Sequence, residues 1–214
     1  FRSLFVFKDP RSALVFPLWR RVLAELDIRC LPVIISRNPL EVAQSLAKRQ
    51  LAAMPGQSWS LDRGALLWLR YMLASERHTR GHARSFCTYD DVLDDWHAVV
   101  DRMARDLDVT WPRPPAQAAH DIDGFLSREL RHHHASDSDG DGSGRWSIWS
   151  WWAAPVFDAW RQASAGGGPD QRVFDAIGQS FDAACAGVRP GSAGRERSTA
   201  SRERLAGRKQ IAVV

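Results

Sequence analysis

Between Leu31 and Ala47 the hydrophobic pattern changes period within one short stretch. Leu31-Pro-Val-Ile-Ile-Ser36 is a β-branched, apolar run of the kind that fills a strand buried on both faces, and Leu40, Ala43, Leu46 and Ala47 then recur at helical spacing. The pattern predicts strand, turn and helix, with Asn38 as the N-cap and Pro39 at the first helical position. Arg37 therefore falls on the turn. A guanidinium at the carboxyl end of a strand, beside the partial positive charge of a helix N-terminus, is suited to hold a phosphate; pairing with a carboxylate is the open alternative. Ser45 lies about two turns further on, near the helix face that carries Asn38.

The same patterns extend through the chain. Phe1 to Lys8 predicts a first strand, stopped at Asp9-Pro10-Arg11, and Leu18, Trp19, Val22, Leu23 and Leu26 predict a helix from about Pro17 to Leu26. Two strands around one helix form a βαβ unit with a parallel sheet, so the Lys8 and Arg37 turns are expected at the carboxyl ends of adjacent strands. The Arg37 helix should end at Pro55-Gly56, Asp62 should cap a helix reaching about Arg77, Arg84 to Tyr89 should form a third strand, and Asp90-Asp91 should start another helix. This alternation predicts an α/β fold: a three-layer parallel sheet flanked by helices, with a helical C-terminal part. That part comprises helices over about Gln117 to His133, Trp146 to Trp160 and Asp170 to Ala186. Trp19, Trp68 and Trp96 sit on apolar faces and are expected in the core; the tryptophans from Trp146 to Trp160 have spacing that favours packing over stacking on sugar rings.

Composition changes the picture in three places. Of 214 residues, 44% are hydrophobic and 25% charged, as in globular proteins, and no apolar run is long enough to span a bilayer. The net charge of +4 is concentrated from Arg189 onward, where seven basic residues face two acidic ones, so the globular part is nearly neutral and gives no sign of a nucleic-acid-binding surface. Cys30, Cys87 and Cys185 have neither disulfide nor metal-site spacing, which fits a reducing cytoplasm. His132-His133-His134 with Asp137, Asp139 and Asp141 imitates a metal site, but the twelfth position of the would-be calcium loop is Ile148, and a solvated helix end and loop is the preferred reading. No metal is expected. The chain divides into a domain over 1–187, a disordered basic linker over 188–209, and 210–214 as the start of a further domain; the numbering is expected to begin inside a longer polypeptide.

Phe7-Lys8-Asp9-Pro10-Arg11, Phe16-Pro17, and Ile35-Ser36-Arg37-Asn38-Pro39 with Val42, Ala43 and Ser45 together resemble the sulfotransferases that use 3′-phosphoadenosine 5′-phosphosulfate (PAPS). The resemblance spans roughly Phe1 to Leu107 and implies a P-loop-like fold. It implies that Arg37 and Ser45 hold the cofactor's 3′-phosphate, and that the turn with Lys8, Asp9 and Arg11 borders the sulfuryl group and the acceptor hydroxyl. Tyr89-Asp90-Asp91 is similar to the family's Tyr-Glu-Asp stretch. The chain departs from the family in two respects: a Pro-Lys-Ser-Gly-Thr-like loop after the first strand is missing, and Pro10 occupies the position of a catalytic histidine. Lys8 and Arg11 would stabilise charge developing during transfer, while Asp9 would act as the base or cap the following helix. The implied reaction is sulfuryl transfer from PAPS to a hydroxyl, on a carbohydrate or glycan. The alternatives are a non-catalytic interaction module and a kinase-like nucleotide-dependent enzyme.

Overall fold

The computed structural model describes residues 3–126, 149–187 and 209–213. It is a mostly helical α/β structure around a small, wholly parallel sheet. The elements in order are β1 (Ser3–Phe7), α1 (Ser12–Glu25), β2 (Cys30–Ser36), α2 (Pro39–Ala53), α3 (Leu61–Thr79), β3 (Ser85–Thr88), α4 (Tyr89–Leu107), α5 (Pro115–Phe125), α6 (Ala154–Gln162), α7 (Gln171–Ala186) and β4 (Lys209–Val213). Wide π turns, Trp149–Ala153 and Ala163–Gly167, bracket α6. The expected His/Asp run, the end of the helix toward His133 and the linker up to Arg208 lie outside the described residues.

The strand order is β1-β4-β2-β3, all parallel. The strand expected near Gln210 thus forms, and it enters this sheet between β1 and β2. The Lys8 and Arg37 turns accordingly do not lie on adjacent strands, as the βαβ reading had them. Within β2 the side chains alternate between two clusters: Ile34 joins Phe86, Trp68, Leu69, Phe157 and Trp160, whereas Leu31 and Val33 join Leu107. Ile35, near the end of β2, breaks the expectation of a fully buried strand, being 38% exposed, although Val33 and Ile34 before it are buried.

The first helix also differs from its prediction. It begins at Ser12, one turn and more before Pro17, and buries Ser12, Phe16 and Leu23. No described element covers the other side, so Leu18 and Leu26 are exposed and Trp19 rests at the edge against Phe7, 5.4 Å between ring centroids. Pro17 can sit inside the helix because the carbonyl it orphans four residues back, that of Ala13, accepts a hydrogen bond from His78 Nδ1 at 2.8 Å. The cap of α3 is Ser60, whose hydroxyl accepts from Arg63 N, and Asp62 lies in the first turn instead. In α4, Thr88 and Asp91 form a reciprocal capping box. Trp68 and Trp96 are core residues as expected, and Trp160 packs on Phe86 of β3 with centroids 5.0 Å apart. Trp151 is more than half exposed, and in α5 no residue is buried.

Two contacts fix the position of α3. Gly64 of α3 lies so close to α2 that a Cβ there would meet Ala43 Cα at 2.6 Å. Glu76, with no exposed surface, receives Arg80 Nε at 2.6 Å and Arg84 Nη2 at 3.3 Å, while Arg80 also reaches Asp175 of α7. Gly64→Ala should lower unfolding free energy in urea by about 1–3 kcal/mol through backbone displacement. Glu76→Ala should cost about 3–5 kcal/mol in the same measurement, since it leaves two cations without their buried counter-charge; a loss below 1 kcal/mol would contradict the network.

Candidate functional site

The carboxyl edge of the sheet carries two cationic turns. The first follows β2. Asn38 Oδ1 accepts from Leu40 N at 2.9 Å and Pro39 occupies the first helical position, so α2 starts where the sequence places it. That cap aims the fifteen-residue helix toward the turn and leaves Arg37 just outside it. Three partners hold Arg37. Its Nε donates to Glu41 Oε2 at 2.8 Å, its guanidinium lies 4.8 Å from the Tyr89 ring centroid, and its carbonyl accepts from Trp68 Nε1 at 3.1 Å. Glu41 is almost fully buried, with 8% of its side chain exposed against 28% for Arg37.

The carboxylate pairing left open by the sequence is therefore present. It engages only the Nε edge; the Nη groups make none of the hydrogen bonds found among the described residues. An anion approaching from solvent can still meet that edge. Ser36 Oγ, one residue back, is buried and has no hydrogen-bond partner among the described residues. Ser45 is exposed on α2 and makes no hydrogen bond among those described.

The second turn follows β1. Asp9 closes it on itself: Oδ1 accepts from Arg11 N at 2.8 Å, and Oδ2 accepts from Arg11 Nη2 at 2.6 Å. This clasp is local, and Arg11 remains largely exposed. The Asp9 carbonyl also accepts from Ser12 N at 2.9 Å, so the residue shapes the entry to α1 without capping it in the usual way, and the N-cap Arg11 has no side-chain cap. The Arg11 hydrogen bonds hold the Asp9 pKa down, from 3.8 to about 2. A carboxylate that acidic accepts a proton poorly at neutral pH. Lys8 is exposed at the start of the turn.

Register sets the distance between the turns. Phe7 and Pro32 both lie opposite Val213, so Lys8 is one residue past that level and Arg37 five. At about 3.3 Å per residue and about 4.8 Å per strand spacing, the two backbones are separated by about 13 Å along the sheet and about 10 Å across it. One small anion cannot engage both turns. A ligand with two well-separated anionic groups could.

The Glu41 partner was legible as an opposite charge four residues on, yet the sequence reading left it unnamed. The Tyr89 contact had no local signal, since it depends on β2 and β3 pairing with Ser36 opposite Thr88. Elsewhere, burial pushes the Cys30 thiol up to about 11 and that of Cys87 up to about 12, so neither is a nucleophile near neutral pH. Among the described residues there is no cluster of three or more His, Cys, Asp and Glu side chains arranged for a metal, and no helix long and apolar enough to cross a membrane. The chain matches no family model, no curated protein and no solved structure.

Because the ionised form of Asp9 is favoured by the folded turn, its contribution to stability is complete above about pH 3.8 and is lost as the pH falls through about 2. In an NMR titration the Asp9 carboxyl should have a midpoint near 2, and Arg11→Ala should return it toward 3.8. An unchanged midpoint in that variant would mean that Arg11 is not the cause.

Proposed function

We propose that the chain is a sulfotransferase-type α/β domain, with the three-layer, P-loop-like sheet of that family, that binds PAPS and transfers its sulfuryl group to a hydroxyl of a carbohydrate or glycan in the cytoplasm. The observation that carries this reading is the pair of cationic turns on one carboxyl edge, spaced for a ligand with two separated anionic groups. Arg37, through its open Nη edge, holds the 3′-phosphate, with Ser45 on the same helix as the second donor. Lys8 and Arg11 face the sulfuryl end.

In this reaction the acceptor oxygen attacks sulfur, the bond from sulfur to the bridging phosphate oxygen breaks, and the acceptor's proton leaves to solvent or a base. Charge builds on the nonbridging oxygens and the leaving phosphate, so cations supply most of the stabilisation, as in phosphoryl transfer. Asp9, acidified by Arg11, orients that guanidinium and contributes little as a base. A second reading has one specific observation in its favour: Arg37 and Arg11 each already have a carboxylate, which suits a non-catalytic interaction module.

Calorimetric titration with adenosine 3′,5′-bisphosphate separates the two. The double variant Arg37→Gln/Glu41→Gln removes the cation without leaving Glu41 as a bare buried charge. It should weaken binding about ten- to a hundredfold, the worth of one charged hydrogen bond. Glu41→Gln alone should tighten binding by removing the negative charge beside the incoming anion. No binding to the folded chain supports the interaction module, and binding of ATP without response to the bisphosphate supports a kinase-like enzyme.

A further inference from the structure

The sheet has a gap in its own chain order. β1 and β2 are consecutive strands joined by α1, yet they do not pair; the position between them is taken by a strand more than 170 residues along from β2. β4 pairs with all five residues of β1, Ser3 to Phe7, and with Cys30, Leu31 and Pro32 of β2. Among the described elements it packs substantially on these two strands alone. The dependence runs the other way too. Apart from Phe7 against Trp19, β4 is the one described element on which β1 packs substantially, and Phe5 and Val6 are more than half exposed. Without β4, the first strand would have lost its ladder on one side while remaining an edge on the other.

We propose that the space between β1 and β2 is an acceptor site for a parallel β-strand, filled by Lys209–Val213 of the same chain, and that its occupation is what fastens β1 to the body of the fold. The chemistry of recognition is main-chain hydrogen bonding on two sides by an extended segment that includes the β-branched and small residues Ile211, Ala212 and Val213, in one register. Such a strand adds to the sheet by the same interactions that hold its neighbours, and it needs no helix to cover it first. A strand donated from a distant part of the chain can be exchanged with that of a second copy when the two are concentrated, so the occupant in cis has to be distinguished from one in trans.

Cys30 supplies the probe, because it lies directly opposite Ile211. Register partners on neighbouring parallel strands are about 4.8 Å apart, inside the range a disulfide spans. In the full chain carrying Cys185→Ser, Ile211→Cys should give a disulfide to Cys30 within one chain under mild oxidation, read by mass spectrometry of the digested monomer. Ala212→Cys, one residue out of register, should link at least tenfold less. In a separate full-chain variant, Ala212→Pro should speed amide hydrogen exchange across Leu4 to Phe7 at least tenfold while leaving the amides of α3 unchanged. A link found only between two chains overturns the assignment in cis. Equal linking at 211 and 212, or unaltered β1 exchange in the proline variant, overturns the acceptor site itself.

Discussion

A carboxylate with no exposed surface, Glu76, is the constraint around which the rest of the molecule is arranged. Burying that charge is tolerable only because Arg80 and Arg84 both reach it, and Arg84 Nη1 further donates to the Glu76 carbonyl and the Thr79 hydroxyl. The consequence is positional. Arg84 immediately precedes β3 and Arg80 extends to Asp175, so the end of α3, the start of β3 and the face of α7 are held to one point. With that end fixed, Trp68, Leu69 and Leu73 on the same helix meet Ile34, Phe86, Phe157 and Trp160 in one cluster. Burial of these large apolar side chains supplies the stabilisation, while the ion cluster decides the arrangement in which they are buried.

The same core reaches the candidate site through Trp68. Its ring is packed edge-on to Phe157, and its Nε1 donates to the carbonyl of Arg37. The turn is thereby tied to the interior from the backbone side, and Glu41 and Tyr89 restrain the guanidinium from the other. A side chain held at two points, on a turn pinned through its backbone, loses little freedom when an anion arrives, which is the advantage of a preorganised cation over a mobile surface lysine. Lys8, exposed and outside any such frame, lacks that restraint.

What the sequence could disclose follows the range of the interactions. The Asn38 cap, Pro39, the ends of α2 and the extent of α7 from about Asp170 to Ala186 are consequences of residues within a few positions, and the structure keeps them. The α1 stripe misleads because Pro17, a residue suited to a helix start, lies inside the helix. The carbonyl of Ala13 that it leaves open is instead taken up by His78, 65 positions from Ala13, which no local pattern contains. Leu18 and Trp19 have helical spacing whether or not anything covers them, so periodicity could not tell their exposed side from the buried side marked by Phe16 and Leu23. The site was legible as types of residue, a capped arginine turn and a lysine turn. Its geometry was not, because it depends on a strand inserted between two others.

That insertion alters how the two turns relate. In a βαβ unit with paired strands the Lys8 and Arg37 backbones would share one edge position and could converge on a single phosphate. With β4 between them, and with β2 running four residues beyond the level of Phe7, they instead mark two ends of an extended site. The acidity of Asp9 follows the same division. Separated from Arg37, Arg11 satisfies its charge locally with the nearest carboxylate, and Arg37 does so with Glu41. Each arginine is thus paired within its own turn. Both turns keep hydrogen-bond donors turned away from their partner carboxylates, so an anionic ligand would add to these pairs without first displacing them.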